Sequence, residues 1–255
     1  MMHLPVDGRV VRLRPLAGAD ELAVAEARGG VLETALVLLD RLVAPVDGGP
    51  DDWSQLSVTD FELLLLAVRR ELFGDLVRSD FFCPEEDCGE RVEIEFSVAD
   101  FAAAVAPGRP RGVSDDPDRP GWRKVGGLAV RPPAVSDQMI AQAGGGEEAL
   151  VRRCIDPPDA PARQRNRAVA ALQALAPEVS RTLEGVCPGC RRPVHAVFHV
   201  PGFVVAEVRR AVSRMTDEVD LIAAAYHWSE PEILALPRAR RQAYAARIRN
   251  RGLAA

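Results

Sequence analysis

Four of the five cysteines stand in two short pairs far apart in the chain. The first pair closes the turn Phe82-Cys83-Pro84-Glu85-Glu86-Asp87-Cys88, the second the turn Val186-Cys187-Pro188-Gly189-Cys190. Two thiol pairs, each in a tight turn ahead of a strand, supply the four thiolates of a tetrahedral zinc site. Cys83, Cys88, Cys187 and Cys190 are therefore the expected ligands of one structural zinc. The alternatives are redox catalysis, disulfides or unrelated buried thiols. A thioredoxin-like centre needs one Cys-x-x-Cys opening a helix, whereas both pairs here precede strands. A catalytic zinc keeps an open position, and four thiolates leave none.

The other reactive residue types carry less. His195 and His199 follow the second pair too closely for a zinc finger, which spaces its first histidine about twelve residues on. On a strand they share the face opposite Val194, Ala196 and Phe198, so they are expected to face solvent. Cys154 lies in an apolar helical pattern and is expected to be a small buried hydrophobe. Glu85, Glu86 and Asp87 read as a solvated loop. Gly144-Gly145-Gly146 lacks the lysine and the preceding strand of a phosphate loop. With four histidines in all, no Ser/His/Asp set announces itself, and the expectation is a protein that is not an enzyme.

Composition sets the frame for these residues. The 255 residues are 47% apolar but only 5% aromatic, so a core built on Leu, Val and Ala is expected. No apolar run is long enough to span a membrane. Met1 to Asp7 has no basic head and apolar stretch, so no secretory signal is expected and cytoplasmic is the default location. In that reducing setting five cysteines argue against a disulfide framework. Lys124 is the only lysine among 32 basic residues, a bias expected of a GC-rich genome. Arginine richness is thus weak evidence for nucleic-acid binding, and the net charge of −5 points against it.

The elements that must position the cysteines occur twice. After each pair the apolar residues keep one spacing: Val92, Phe96, Val98 and Phe101, then Val194, Phe198, Val200 and Phe203. Upstream, Val10–Leu13 reads as a strand ending in Arg14-Pro15. Gly18-Ala19-Asp20-Glu21 then opens a helix, with Asp20 placed to cap it. Leu128-Ala129-Val130-Arg131-Pro132 and Asp137-Gln138 repeat that plan, and Ala149-Leu150-Val151 echoes Ala35-Leu36-Val37. Leu32, Ala35, Leu36, Leu39 and Leu42 trace a helix broken by Pro45 and Asp47–Pro50. Thr59 and Glu62 stand in capping-box register before a helix with Phe61, Leu64, Leu65, Val68 and Leu72 on one face, stopped by Gly74. Val169, Leu172 and Leu175 mark its counterpart before the second pair. The expected fold is α+β: two internally duplicated halves, each helices plus a knuckle hairpin, joined at a four-cysteine zinc ribbon. The expected segments are a first repeat over 1–104, a Pro/Gly-rich linker over 105–122, a second repeat over 123–203 and a helical extension over 204–255.

In that extension Val208, Val212, Met215, Val219, Ile222 and Tyr226 recur at steps of four and three, with Arg209, Arg210, Glu218 and Asp220 between them. This predicts a long amphipathic helix. Ser229 and Glu232 form a second capping box, with Pro231 in the tolerated first turn. Pro237 separates a final helix, Arg238 to Arg249, whose arginines (Arg238, Arg240, Arg241, Arg247 and Arg249) are expected to be a solvated face.

Leu64 to Asp75 followed by Phe81 to Val98 resembles the bacteriophage base plate protein family that includes baseplate hub assembly chaperones, with relatives in contractile phage-tail-like injection systems. Ala225 to Tyr244 is similar to the closing segment of phage-tail and injection-cluster proteins. The chain carries the knuckle motif twice where the family pattern has one copy. The resemblance implies an assembly role: binding hub or other baseplate and tail proteins, or staying in the particle as a minor component. The alternative reading of the residues is a zinc-ribbon nucleic-acid-binding adaptor.

Overall fold

The computed structural model describes residues 1–46 and 52–252; the expected chain break at Asp47–Pro50 lies outside the described residues. In order, the chain forms β1 (Met2–His3), β2 (Val10–Leu13), α1 (Gly18–Glu26), α2 (Val31–Leu42), β3 (Val43–Pro45), a 3-10 turn (Trp53–Gln55), α3 (Val58–Phe73), β4 (Leu76–Phe82), β5 (Arg91–Ser97) and α4 (Val98–Ala103). It continues through β6 (Val113–Asp115), β7 (Arg123–Val125), β8 (Leu128–Val130), α5 (Val135–Ala143), α6 (Gly146–Cys154), β9 (Ile155–Asp156), α7 (Ala162–Leu175), β10 (Arg181–Val186) and β11 (Pro193–Phe198). Three helices close it: α8 (Val200–Tyr226), α9 (Glu230–Leu234) and α10 (Arg238–Gly252). The mixture of helix and antiparallel sheet is the α+β class.

The chain forms two compact units, one from Met1–Val11 and Pro45–Val200, the other from Arg12–Ala44 and Pro201–Ala255. The first unit holds the sheet β6-β7-β8-β9, the two-stranded sheets β4-β5 and β10-β11, and the cysteine pairs. Its central helix is α3. The register of Phe61, Leu64, Leu65 and Val68 suggests one apolar face, but Leu63, Leu66, Thr59, Asp60, Glu62 and Arg69 are buried as well, so α3 is enclosed almost all round. Gly74 stops it in the left-handed region, at φ 87°, which its missing Cβ permits.

The start of α3 departs from the expected Thr59/Glu62 box. Ser57 is the cap, its hydroxyl accepting the Asp60 N–H at 3.2 Å. Thr59 instead donates to the Pro177 carbonyl at 2.9 Å, and Glu62 accepts the Ser180 N–H and hydroxyl, both at 2.7 Å. Two overlapping Ser/Thr-x-x-acid sets were available, and contacts 118 residues away claimed the second.

Within the stretch expected as a linker, β6 pairs with β7 and so joins the antiparallel sheet β6-β7-β8-β9. Val125, Leu128, Val130 and Ile155 of that sheet pack on Ala168 and Ala171 of α7. Cys154 is 2% exposed, as its apolar surroundings predict.

The two segments that echo each other in sequence run through matching elements: β2-α1-α2-β3 and β8-α5-α6-β9, each followed by a helix and a hairpin. Arg14 N–H donates to Leu42 O at 2.9 Å, and Arg131 N–H to Cys154 O at 3.0 Å. Asp20 accepts both guanidinium nitrogens of Arg14 (2.8 and 2.8 Å) and the Ala17 N–H, with Arg41 of α2 further off at 3.4 Å. Asp137 likewise accepts from Arg131 (2.5 and 2.9 Å) and the Ala134 N–H, with Arg153 of α6 at 2.6 Å. Burial alone would raise both carboxyls. The bidentate guanidinium and the backbone N–H outweigh it and hold each below the usual range.

In the second unit Leu32, Ala35, Leu38, Leu39 and Leu42 form the buried face of α2, while Leu36 is half-buried. The stripe of α8 is broader than its heptad steps: Val204, Ala211 and Glu218 are buried with Val208, Met215 and Ile222. Ser229 and Glu232 form the expected capping box, Ser229 N–H and hydroxyl donating at 2.8 and 2.7 Å. A cluster of Tyr226, Trp228 and Tyr244, rings 5.2–5.7 Å apart, closes over Ile222 and Ile233.

The last helix corrects the reading of its arginines as a solvated face. Arg241 is 1% exposed and pairs with Glu21 at 2.6 Å and Glu218 at 2.9 Å. Arg238 lies 3.6 Å from Glu21. Neither partner is within local reach in sequence, so no helical pattern could mark this arginine as buried.

Candidate metal centre

Two antiparallel hairpins, β4-β5 and β10-β11, present the cysteine pairs at their tips. Strict cross-strand register, from Leu76 with Ser97 to Phe82 with Arg91, and from Arg181 with Phe198 to Val186 with Pro193, sets where each tip begins. Each knuckle is closed by a backbone bond, Cys83 N–H to Glu90 O at 2.7 Å and Cys187 N–H to Arg192 O at 2.9 Å. The residue after the second cysteine is left-handed in both: Gly89 and Arg191 each have φ 62°. Glycine takes that conformation readily, and arginine takes it against a steric cost.

The hairpins bring the four thiols together. Cys83 Sγ lies 3.8 Å from Cys190 Sγ and Cys88 Sγ 3.6 Å from Cys187 Sγ, and all four sulfurs fall within 4.8 Å of one another. These separations are far longer than a disulfide, and the cysteines are free. A zinc bound tetrahedrally at about 2.3 Å from each sulfur would space them about 3.8 Å apart, so the donor set fits a metal ion of that size and coordination.

Burial and hydrogen bonding pull on the thiols in opposite directions. The Glu85 N–H favours the Cys83 thiolate, but burial and the thiols of Cys187, Cys190 and Cys88 push that group up to about 12. Cys187 receives the N–H groups of Cys190 and Gly189 and falls to about 7 against its burial. Backbone donors aimed at crowded sulfurs favour anionic sulfur, whose mutual repulsion a cation would relieve.

The surroundings hold the two tips in register. Val92 and Val194, the first apolar residues after each pair, pack against Cys83 and Cys187, with Phe81 at the edge. Further along, Phe96, Phe101 and Phe198 make a triangle of rings 5.2–5.3 Å apart, and Arg181 lies over Phe101 at 4.2 Å. Phe101 does so from α4, since β5 ends at Ser97. Arg192 of one knuckle pairs with Glu85 of the other. Gly189 stands close to the neighbouring tip: a Cβ there would sit 3.2 Å from the side chain of Glu90, which would have to shift by a few tenths of an ångström.

The other sequence candidates stay apart from this centre. His195 and His199 are exposed, Glu86 and Asp87 are exposed, and Gly144 and Gly145 lie at the junction of α5 and α6. Among the described residues the four cysteines are the group with metal-binding geometry, and no helix is long and apolar enough to cross a membrane. The sequence pattern gives Asp60 no role and assigns Glu62 to the helix cap; both acids are buried. Asp60 accepts the Val6 and Asp7 N–H groups, at 3.1 and 2.6 Å, and burial with the nearby Asp7 charge pushes it up to about 7. Only their overlap of capping patterns hinted that one set was free for other partners.

No curated protein and no solved structure matches the chain. The sequence profile of the T4 bacteriophage base plate proteins matches residues 1–156, a span that includes the first cysteine pair and precedes the second. With more than half of its 255 residues so matched, the chain belongs to the T4 bacteriophage base plate protein family.

Proposed function

We propose that the protein is a non-enzymatic assembly component of the baseplate of a contractile phage tail or phage-tail-like injection system, built on an internal duplication and clamped by one structural zinc. The observation that carries the reading is the convergence of Cys83, Cys88, Cys187 and Cys190 from two equivalent hairpins in a chain of base plate kinship. The duplication is supported by the matched element order, the paired Arg-Asp clamps and the shared left-handed residue after each second cysteine.

Half of a four-thiolate site holds zinc poorly, so the metal would tie the two hairpins together and add folding free energy. Bound there it would neutralise thiolate charge and keep no open position. The remaining residues orient: backbone N–H groups of the knuckles face the sulfurs, and Arg192 with Glu85 aligns the tips. The work of such a protein lies in binding hub or other baseplate subunits, as an assembly chaperone or a minor component of the particle.

The test is elemental analysis of purified protein together with capture of partners. About one zinc per chain is expected, as a single tetrahedral site requires, and co-expression with neighbouring baseplate proteins should recover a complex. Fully folded protein that binds no metal would remove the zinc clamp, and a protein that captures no tail or baseplate subunit would remove the assembly role.

A further inference from the structure

The C-terminal helix meets the first helical hairpin in the same register in which α3 meets the second. Pro237 forms an isolated antiparallel bridge with Ala17, and Ser57 forms one with Ala134. Arg238 N–H donates to Leu16 O at 3.3 Å, and Val58 N–H to Pro133 O at 2.9 Å. Pro237 and Ser57 each follow a leucine and a short helical turn, and each immediately precedes a helix, α10 or α3. The chain thus contains two seats of one design, the start of α1 taking α10 and the start of α5 taking α3. Such a chain faces an ambiguity, because a helix that fits one seat is shaped to enter the other.

The residues at the fourth position of each helix differ in kind. In the α1 seat these are Glu21 and Arg241, joined at 2.6 Å with both side chains buried. In the α5 seat the corresponding residues are Gln138 and Phe61. Phe61 is fully buried, and the Gln138 Oε1 is buried with no hydrogen-bond partner among the described residues. The first helical position differs too. A Cβ on Gly18 would lie 2.6 Å from the Arg241 guanidinium, whereas the α5 seat carries Val135 there, fully buried. An arginine entering the α5 seat would meet a valine where its guanidinium needs room and a neutral amide where it needs an anion. A phenylalanine entering the α1 seat would strand Glu21 as a buried unpaired charge.

We propose that Glu21 with Gly18, and Gln138 with Val135, are specificity-determining residues that assign α10 to the α1 seat and α3 to the α5 seat, so that the two helices cannot trade places within a chain or between copies. The assignment rests on no metal and on no partner protein, and its failure would leave the zinc content and partner capture of the protein untouched.

Reciprocal isosteric exchanges in the full-length protein test it, read by hydrogen-deuterium exchange of α10 and α3 separately. Glu21→Gln should speed exchange across 238–248 at least tenfold and leave 58–70 unchanged. Gln138→Glu should do the converse, and Gln138→Met should leave both helices as protected as in the parent. In a cycle with Arg241→Met, the second substitution should cost far less once Glu21 is already glutamine. Independent, multiplying effects of Glu21→Gln and Arg241→Met overturn the assignment. So does an α3 indifferent to a carboxylate at 138, or loosening of both helices by either single exchange. Should Arg241→Met prevent folding, the two isosteric exchanges decide the matter alone.

Discussion

Replacing Asp137 and Asp20 by alanine, one at a time, weighs two clamps of the same chemistry in different surroundings. The Asp137 side chain is 1% exposed and takes two guanidinium bonds from Arg131, one from Arg153 and one from the Ala134 N–H. Removing it leaves Arg131, whose side chain is only 23% exposed, without its anion and leaves the start of α5 uncapped. Breaking a buried pair costs about 3–5 kcal/mol; because water reaches Arg153, 42% exposed, the lower end, about 3 kcal/mol, applies to the ion pair, and with about 1 kcal/mol for the lost cap Asp137→Ala should cost about 4 kcal/mol. Asp20 is nearly as buried, but its partners Arg14 and Arg41 are 49% and 44% exposed and return to water when it is lost. The ion-pair part then falls to about 1 kcal/mol or less, and with about 1 kcal/mol for the lost cap Asp20→Ala should cost about 2 kcal/mol. Hydrogen exchange of the α5-α6 and α1-α2 amides, alongside urea denaturation, measures both. Asp137→Asn keeps an acceptor for the Ala134 N–H and should recover roughly 1 kcal/mol of its loss. The sign with pH is fixed by the depressed carboxyls: their stabilisation is present above the ordinary carboxylate range and is lost as pH falls through the folded values. An Asp20→Ala loss as large as that of Asp137→Ala, or an Asp137→Ala loss under about 1 kcal/mol, would refute the reasoning.

Three further outcomes follow from the same structure. Cys187→Ser should abolish metal retention on dialysis against a chelator-free buffer while Cys154→Ser leaves it unchanged, because only the first removes a sulfur of the cluster; elemental analysis decides. Asp60 has its carboxyl raised from 3.8 to about 7, so the folded state holds a proton that the unfolded state gives up. Stability should therefore decline as pH rises between those values, and Asp60→Asn should flatten that slope in urea titrations. Gly189→Ala places a Cβ 3.2 Å from the Glu90 side chain; it should leave the fold intact by circular dichroism and speed loss of bound metal to a chelator.

The parts that could be read from the sequence were those whose determinants lie within one turn or one strand. The cysteine pairs, the Arg-Pro-x-x-x-x-Asp spacing of the two clamps and the Ser229–Glu232 box are each local, and each stands where its pattern places it. What escaped was decided at a distance. Ser57 and Thr59 both head a Ser/Thr-x-x-acid set, and only the demand of Ser180 for Glu62 selects between them. Val113–Asp115 looks like a loop among prolines and glycines until β7 pairs with it. Arg241 sits in a run of arginines with no acid near it, so nothing local separates it from its exposed neighbours Arg240 and Arg247. That the four thiols meet at all is likewise a tertiary fact, since 99 and 107 residues separate the closest sulfurs.

The bond between Glu21 and Arg241 spans 220 residues, and the unit around it is assembled from Arg12–Ala44 and Pro201–Ala255. During synthesis its first part leaves the ribosome with no apolar partner. At about 5–20 residues per second that state lasts on the order of 10–40 seconds. Leu32, Leu38, Leu39 and the Glu21 carboxylate are then exposed together. The first unit, largely continuous in the chain up to Val200, can close in the meantime, so the second unit is the later of the two to be completed. A message truncated between Val200 and Arg241 would yield a chain with both cysteine pairs but with one apolar surface left open, the kind of defect that quality-control proteases recognise.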